Sequence, residues 1–400
     1  MQAPEKTDVL ISGGGVAGLM AAAAFGAQGF RTICIDPAPP VTEAGALGAD
    51  LRSTAFLQPA REVLEDAGLW ARLAPHAAAL QIMRIVDAGG ATPEPRIIKD
   101  FDAAEISDQP FGWNFPNWLL RRELIARLAD LPNVSFRPGV ATASVLTRSA
   151  EACVTLTDGA RITARLLIAA DGRASPVREA LGIKVQTSRY GQKALAFAVT
   201  HTPPHDNIST EVHRTGGPFT LVPLPDRDGQ PSSAVVWMDK GAEIARLAAL
   251  PVPAFEAEIL ARSAGVLGPL SLVTGRSVWP IISQLAERFE GERTALLAEA
   301  AHVVPPIGAQ GLNMSLADLA CLLDLAQARP DQLGDRKMLK TYHQRRWPEV
   351  KARVTGIDLL NRSAMLGAPA LRDLRAGALS ALYALDPLRK VLMKTGLGMR

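Results

Sequence analysis

Three glycines are spaced as in a segment that binds a diphosphate. Residues 8–18 read Asp-Val-Leu-Ile-Ser-Gly-Gly-Gly-Val-Ala-Gly, so Gly13, Gly15 and Gly18 form a GxGxxG pattern. The apolar run before it predicts a buried strand, and the small residues after it predict a helix. Asp36 ends the next predicted strand, where its carboxylate can accept hydrogen bonds from a ribose. The segment predicts a dinucleotide site but does not separate NAD from FAD.

Each glycine of this pattern has its own physical reason. Gly13 allows the tight turn, Gly15 lets the backbone approach a pyrophosphate, and Gly18 lets the helix pack close to the sheet. The amide groups and dipole of the helix N-terminus then face the phosphates.

A second segment joins a buried strand to an Asp-Gly pair. The apolar residues 166–170 predict the strand, and Asp171, Gly172, Ser175 and Arg178 follow it in a DGxxSxVR pattern. Asp-Gly alone is also an ordinary turn sequence. The longer DGxxSxVR pattern is therefore stronger evidence for a functional segment than the Asp-Gly pair alone.

A third segment offers a carboxylate and a helix N-terminus. Glu299 follows a predicted strand, a loop with two prolines comes next, and a helix is predicted from about Gly311. Helix amides stabilise negative charge, as on a reduced flavin. His302 lies between them, and two interpretations remain open: packing beneath the loop, or a weak candidate for a catalytic role.

The elements that position these segments alternate between strand and helix. Strands at 9–12 and 32–36 flank a helix at 16–28, which predicts a parallel sheet. Short strands are predicted within 194–238, and helices within 242–264, 311–328 and most of 335–400. We predict an α/β protein with a discontinuous Rossmann-like dinucleotide-binding domain (1–75, 119–183 and 276–335), which the resemblance given below makes an FAD-binding domain. An inserted β-rich substrate domain (76–118 and 184–275) and a helical C-terminal extension (336–400) complete the predicted fold.

Charge is distributed unevenly along the 400 residues. Residues 336–400 contain 14 basic and 4 acidic side chains, whereas the preceding part contains 29 basic and 36 acidic ones. The acidic body argues against nucleic-acid binding. The basic end has short apolar faces (Leu379, Leu382, Tyr383 and Leu388, Val391, Leu392) with charges nearby (Arg389, Lys390, Lys394, Arg400). Such a segment predicts contact with a membrane surface, with a partner, or with the protein body.

Other classes of site and location are disfavoured by the sequence. Cys34, Cys153 and Cys321 are widely spaced, and prolines separate His201 from His205, so we expect neither a disulfide framework nor a metal site. The uncharged run at 9–30 contains six glycines and follows an acidic leader, which argues against a membrane span or signal peptide. We expect a cytoplasmic protein, peripheral on the inner face of a membrane if the basic end binds there.

The second and third segments resemble motifs of the flavin-dependent aromatic hydroxylases of the p-hydroxybenzoate hydroxylase fold. DGxxSxVR resembles the Asp-Gly motif of this family, and 298–313 resembles its GDAAH…PxxGQGxN motif. The best match is the UbiH/UbiF type, which hydroxylates polyprenylated phenols in ubiquinone biosynthesis. Here Ala298-Glu299 replaces Gly-Asp, the GQG triplet reads Ala309-Gln310-Gly311, and Ser315 replaces a glycine.

Two further segments resemble family motifs that lie near the flavin. Residues 50–56 resemble DxRxxAL, with Arg52 as the arginine and Phe56 in place of leucine, and Arg121 begins an RxxLxxxL match. Together the motifs imply that the cofactor is held by Gly13, Gly15, Val16, Ala17, Gly18, Asp36, Arg52, Arg121, Asp171, Gly172, Glu299, Gly308, Ala309, Gln310, Gly311, Leu312 and Asn313.

The resemblance also implies an activity. One FAD would be bound, NAD(P)H would dock transiently to reduce it, and O₂ would supply a C4a-hydroperoxyflavin that hydroxylates the ring of a prenylated phenol. Only one complete GxGxxG occurs, which agrees with a single tightly held dinucleotide. Alternatives are the same chemistry on a soluble aromatic compound, an FAD-dependent reductase or dehydrogenase, and a non-catalytic flavin-binding member of a quinone-biosynthesis complex.

Overall fold

The computed structural model describes residues 3–50, 52–90, 92, 94–365, 377 and 383–398. It confirms an α/β fold with two large sheets and a helical C-terminal part. In chain order the strands are β1 (Glu5–Ser12), β2 (Thr32–Asp36), β3 (Ser53–Leu57), β4 (Ala78–Leu80), β5 (Ile82–Asp87), β6 (Ile97–Asp102), β7 (Gly112–Pro116), β8 (Val134–Pro138), β9 (Thr142–Thr147), β10 (Ala152–Leu156), β11 (Arg161–Ala169), β12 (Val185–Thr200), β13 (Ile208–His213), β14 (Pro218–Arg227), β15 (Gln230–Lys240), β16 (Ser271–Leu272), β17 (Ser277–Ala286), β18 (Glu290–Gly291), β19 (Thr294–Leu296) and β20 (His302–Val303).

The α-helices of the described residues connect and cover these strands. They are α1 (Val16–Ala27), α2 (Gln58–Asp66), α3 (Trp70–Leu73), α4 (Asn117–Ala129), α5 (Pro176–Ala180), α6 (Gly241–Ala249), α7 (Val252–Arg262), α8 (Gln310–Ala328), α9 (Arg336–Met365) and α10 (Asp386–Leu397). None of them is both long and apolar enough to span a membrane.

The first sheet has the order β18-β19-β11-β1-β2-β8, and β10 and β9 extend it beside β11. Strands β19, β11, β1, β2 and β8 are parallel, so their carboxyl ends lie at one edge. Val9, Leu10 and Ile11 have no exposed surface, as expected for a parallel strand that is covered on both faces. This edge positions the predicted cofactor segments.

The second sheet has the order β20-β17-β12-β15-β14-β13-β5-β6, with β16 beside β12. Helices α6 and α7 cover one of its faces, where Phe197 packs edge-on against Phe255. The sequence-based division placed residues 276–335 in the first domain, but β17 within that range pairs with β12 over most of its length. Local sequence does not reveal this, because the pairing joins segments about 90 residues apart.

A small third sheet, β3-β7-β4, packs beside β14. Its aromatic residues are core residues: Trp113 packs on Trp70, and Phe115 packs on Phe56. Phe219, on β14, is likewise buried against Trp237. These rings therefore stabilise the fold by packing in its core.

The C-terminal helices contact both large sheets. Tyr342 of α9 donates a hydrogen bond to the Leu296 carbonyl at 2.8 Å, and Trp347 donates to the Ala286 carbonyl at 2.9 Å. On α10, Met393 and Leu397 are buried in a cluster with Leu57, Ala103 and Phe111. The extension is thus part of the packed structure where it is described.

Candidate functional site

The predicted cofactor segments converge at the carboxyl edge of the first sheet. The glycine turn follows β1, Asp36 ends β2, Asp171 follows β11, and Glu299 lies in a short turn after β19. These four strands are neighbours in the order β19-β11-β1-β2. Ligands of open α/β sheets bind outside the carboxyl ends of the strands. The fold therefore brings together four segments that lie far apart in the sequence.

The glycine turn is closely packed at two of its glycines. Gly13 has a φ of +109°, and a Cβ there would overlap the Ala170 carbonyl oxygen. A Cβ on Gly18 would overlap the Gly13 carbonyl oxygen. Ala170 also donates a backbone hydrogen bond to Ser12 at 2.8 Å. The turn is thus fixed against the second predicted segment.

Gly15 differs from these two glycines because it faces open space. A Cβ built on it meets no atom within 4 Å. Gly15 is the N-cap of α1, which has neither a side-chain cap nor an acidic residue in its first turn. The free amides of Val16 and Ala17 are thus available to an anion. This open cradle fits the diphosphate of a dinucleotide.

The Asp36 carboxylate is held in place by two backbone amides. Oδ2 accepts from Gly14 at 2.6 Å, and Oδ1 accepts from Ala38 at 2.9 Å. Each oxygen keeps a further lone pair for the hydroxyl groups of a ribose. The carboxylate is therefore oriented beside the glycine turn before any ligand binds.

Asp171 has an unused buried oxygen. Its Oδ2 accepts from the Val177 amide of α5 at 3.2 Å, whereas Oδ1 is buried and has no hydrogen-bond partner among the described residues. Burial raises the pKa of this carboxyl group above its ordinary value. Gly172 beside it has a φ of +84° and faces open space. An unpartnered buried acceptor at this edge fits a site that a polar ligand completes.

Arg178 links the second and third segments. Its guanidinium is buried and donates to the Ala300 carbonyl at 3.0 Å and to the Arg173 carbonyl at 2.9 Å. Ser175 caps α5 by accepting from the Arg178 amide at 3.0 Å. The arginine of the DGxxSxVR pattern is therefore a structural tie beside Glu299.

The N-terminus of α8 is also free of side-chain caps and of acidic residues in its first turn. Its amides, including those of Gly311 and Leu312, begin after the left-handed residues Gly308 and Ala309. Asn313 anchors this turn to β3, because it accepts from the Leu57 amide at 2.8 Å and donates to the Ala55 carbonyl at 2.7 Å. This end can therefore stabilise negative charge on a bound group.

Gln310 opens α8, and its side chain is engaged by the C-terminal part of the chain. It donates to the Gly396 carbonyl at 2.9 Å and accepts from Arg353 at 2.9 Å. The predicted cofactor contact of Gln310 therefore has to come from its backbone in this arrangement.

His302 lies beneath the loop and not in an open site. Its Nε2 is 2.7 Å from the Asp318 carboxylate, whose other oxygen accepts from Arg346 at 2.6 Å. All three side chains are buried. The sequence analysis missed Asp318 and Arg346; the signal for Asp318 was a carboxylate between the apolar residues Leu316 and Leu319 of α8. His302 therefore contacts a buried carboxylate beneath the loop.

Arg52 and Arg121 share the Asp50 carboxylate. Arg52 donates to it at 2.8 and 2.7 Å, and the closest nitrogen of Arg121 lies 3.4 Å away. The Arg52 guanidinium also lies 5.4 Å from the ring centre of Trp279 on β17. Hydrogen bonding to Asp50, together with the charge of Glu299, raises the pKa of Arg52. The structure thus brings Arg52 close to Glu299, and Asp50 and Trp279 are additions to the predicted set.

The face of the second sheet opposite α6 and α7 is incompletely covered. On β14 and β15, Thr220 and Val236 are partly exposed although their strands are central, while the alternate residues Phe219 and Trp237 are buried. The same open face carries a cluster of Ala194, Met238 and Ile281 that packs against Ile307 of the loop before α8. This face therefore contacts the loop before α8 at Ile307 and is partly exposed at Thr220. Below, this surface is called the inner face.

Metal ligands are not clustered in the described part of the chain. No group of three or more His, Cys, Asp or Glu side chains there is arranged to hold a metal ion. Both ring nitrogens of His201 are in hydrogen-bonding contact, with the Pro203 carbonyl at 2.7 Å and with Ser233 at 2.9 Å.

Fold and site together define a dinucleotide-binding protein with its site at the carboxyl edge of a Rossmann-like sheet. The family model described as "FAD binding domain" matches residues 6–356. The chain belongs to this family of FAD-dependent monooxygenases.

Relatives and solved structures agree with this assignment. The chain is 31% identical to the ubiquinone hydroxylase UbiL of Rhodospirillum rubrum, over 99% of this chain and 90% of that protein. It is 26% identical to the 3-demethoxyubiquinol 3-hydroxylase of Escherichia coli, over 99% of both chains. The crystal structure of p-nitrophenol 4-monooxygenase PnpA from Pseudomonas putida superposes with a TM-score of 0.81 at 19% identity, covering 99% of both chains. The last comparison shows the fold alone.

Proposed function

We propose that this protein hydroxylates the aromatic ring of a polyprenylated phenol in ubiquinone biosynthesis, using NAD(P)H and O₂. The observation that carries the proposal is the similarity to ubiquinone hydroxylases over nearly the whole chain, together with a site that fits FAD. When bound, FAD supplies the redox chemistry that transfers one oxygen atom of O₂ to the ring. The protein has to hold the cofactor and the ring and exclude water.

Residues at the edge of the first sheet would hold FAD, and residues of the second sheet would hold the phenol. The amides at Gly15, the Asp36 carboxylate and the Asp171 edge would hold the adenosine and diphosphate part of FAD. Glu299 and the N-terminus of α8 would hold the ribityl and flavin part, where the helix amides stabilise negative charge on the ring. The ring of the phenol would lie on the inner face, near the apolar cluster of Ala194, Met238 and Ile281 that packs against Ile307.

The test is a turnover assay on purified, FAD-loaded protein. With 2-farnesylphenol as probe, we expect NAD(P)H-dependent oxygen uptake and a product heavier by one oxygen atom. The matched comparison is 4-hydroxybenzoate, a soluble phenol without a prenyl chain. Product from 4-hydroxybenzoate alone would support the soluble-substrate alternative. Absence of bound FAD and of oxygen uptake with either phenol would reject the proposal.

We further propose that the exposed side of α10 binds an anionic membrane surface, from which the hydrophobic prenylated substrate enters the protein. Leu388, Val391 and Leu392 share one side of α10 and are 44%, 59% and 43% exposed. Lys390 and Lys394 on the same helix are exposed as well. Apolar side chains with nearby lysines are the combination that binds the interface of an anionic bilayer.

The opposite side of α10 is attached to the body. Arg389 pairs with Glu105 at 2.7 Å, and Tyr383, just before the helix, packs edge-on against Phe101. Two predicted members of the amphipathic segment, Arg389 and Tyr383, therefore face the protein. Leu379, Leu382 and Arg400 lie outside the described residues.

Sedimentation with vesicles tests the membrane proposal. The variant L388Q/V391Q/L392Q changes only the exposed side, and we expect it to lose binding to vesicles that contain phosphatidylglycerol. The control M393Q alters the buried side and should lower thermal stability instead. Unchanged sedimentation of the triple variant would exclude this face as the membrane contact.

A further inference from the structure

Trp279 is a residue of the second sheet that contacts the cofactor side of the molecule. It lies on β17 opposite Ala194 of β12. Trp279 and Ile307, which belongs to the loop before α8, both pack against the cluster that contains Met238. The ring centre of Trp279 lies 5.4 Å from the guanidinium of Arg52, just before β3. One side chain of the second sheet therefore contacts a residue beside the cofactor edge and packs on the same cluster as the cofactor loop.

The pairing of β12 with β17 is irregular immediately beside Trp279. The paired residues Ile282 and Pro280 are two positions apart on β17, whereas their partners on β12 are four positions apart. The extra residues of β12 form a bulge, and Pro280 has no N–H to donate to the ladder. Bulges bend a strand and change the direction of nearby side chains. The backbone thus gives Trp279 a direction that a regular ladder would not give.

Arg52 is held from the side of the first sheet by a carboxylate. Asp50 accepts hydrogen bonds from its Nε and Nη2 groups at 2.8 and 2.7 Å. Asp50 also accepts from the side chain of Asn117, at the start of α4, at 3.0 Å. The Nη1 group of Arg52 has no hydrogen-bond partner among the described residues, and 43% of the side chain is exposed. A donor therefore remains for a bound group.

The position of Arg52 suits an anionic ligand at the cofactor edge. Hydrogen bonding to Asp50 and the charge of Glu299 both raise the pKa of Arg52, so the guanidinium stays charged beside the cofactor edge. A fixed positive charge attracts the diphosphate of FAD. An arginine that is already ordered loses less conformational entropy when the ligand binds than a freely rotating one. The contacts that order Arg52 therefore contribute to FAD affinity.

We propose that Trp279 is the positioning residue through which the second sheet holds Arg52 in place for FAD. The indole ring attracts the guanidinium by a cation–π contact, while Asp50 fixes the edge of the same group. Without the ring, Arg52 keeps Asp50 as a partner but is free to turn toward solvent, and FAD has to order it on binding. The inference depends on FAD binding and not on which phenol is the substrate.

A double-mutant cycle on the FAD-stripped protein tests the inference by flavin fluorescence titration. W279L removes the ring and should weaken FAD binding on the order of fivefold. W279F keeps an aromatic face and should recover most of that loss. R52Q removes the guanidinium. In the R52Q background, W279L should weaken binding further by less than about twofold, because the ring acts through Arg52.

The matched control is W118L. The ring centre of Trp118 also lies 5.4 Å from an arginine, the exposed Arg122 of α4, so W118L removes an equivalent contact and should bind FAD like wild type. Wild-type affinity in W279L would overturn the inference. An equal loss from W279L with and without Arg52 would overturn it as well, because Trp279 would then act on the fold or on FAD directly.

Circular dichroism separates positioning from folding. If W279L loses folded protein, W279F decides in its place: a folded W279F that binds FAD no better than R52Q overturns the inference, and one that binds FAD like wild type supports it. The readout is FAD affinity. A wild type that binds FAD but makes no product from 2-farnesylphenol therefore contradicts the proposed function alone.

Discussion

Ala298 and Ala309 hold the same left-handed backbone conformation, with φ angles of +55° and +56°, at the two ends of segment 298–309, which connects β19 to α8. Both residues stand where the family motif has glycine. A left-handed conformation costs a residue with a Cβ about 1–2 kcal/mol, whereas glycine adopts it readily. The chain therefore has alanine at two positions where the backbone conformation favours glycine.

The first prediction follows from this strain. A298G and A309G should each raise the thermal unfolding midpoint, because each removes about 1 kcal/mol of backbone strain. The control is A301G, since Ala301 has an ordinary φ of −92° and glycine there adds only unfolded-state entropy. An equal or lower midpoint in both test variants would show that the left-handed conformations are not strained.

The second prediction separates two glycines of one motif. G15V should fold normally but bind FAD at least tenfold more weakly, because the added side chain enters open space where the diphosphate would lie. G18A should instead lose folded protein, because its Cβ meets the Gly13 carbonyl oxygen. Flavin fluorescence titration of the FAD-stripped protein measures the affinity, and circular dichroism reports the fold. Wild-type FAD affinity in G15V would place the diphosphate elsewhere.

The cofactor edge could be predicted from sequence because its signals are local. The turn at Gly13, the carboxylate of Asp36 and the pair at Asp171 each follow a strand within a few residues. Parallel strands then bring their carboxyl ends to one edge without further information. These features depend on short-range patterns that a single sequence contains.

Pairings between distant segments could not be predicted in the same way. The tie between Asp318 and Arg346, the attachment of Gln310 to Gly396, and the place of β17 in the second sheet all depend on tertiary packing. A sequence shows that Arg346 is charged, but it does not show which buried carboxylate it neutralises.

The third prediction concerns pH. Burial raises the pKa of Asp171, so between its ordinary pKa and the raised value the folded protein binds more protons than the unfolded one. The contribution of the Asp171 carboxyl group to the folding stability of the FAD-stripped protein must then fall as pH rises. D171N stays neutral, so its stability advantage over wild type should grow as pH rises above about 4, the ordinary pKa of an Asp side chain, and level off once the raised pKa is passed.

Thermal unfolding of D171N and wild type across that pH range shows whether the stability advantage of D171N grows as pH rises. The control D324N removes an exposed carboxylate and should follow wild type. The same D171N variant should bind FAD more weakly, because it changes an edge residue of the proposed site. A D171N advantage that shrinks with rising pH would contradict the assignment of burial as the cause.

The fourth prediction tests the buried ion pair between Asp318 and Arg346 beneath the cofactor loop. R346M leaves the fully buried carboxylate of Asp318 with His302 as its remaining partner, which should cost about 3 kcal/mol of folding stability. The double variant D318N/R346M removes the stranded charge as well and should recover part of that loss. Because His302 precedes the loop at 305–309, R346M should also weaken FAD binding, and the double variant should restore it in part. If the double variant is no more stable than R346M, Asp318 is not the charge that Arg346 neutralises.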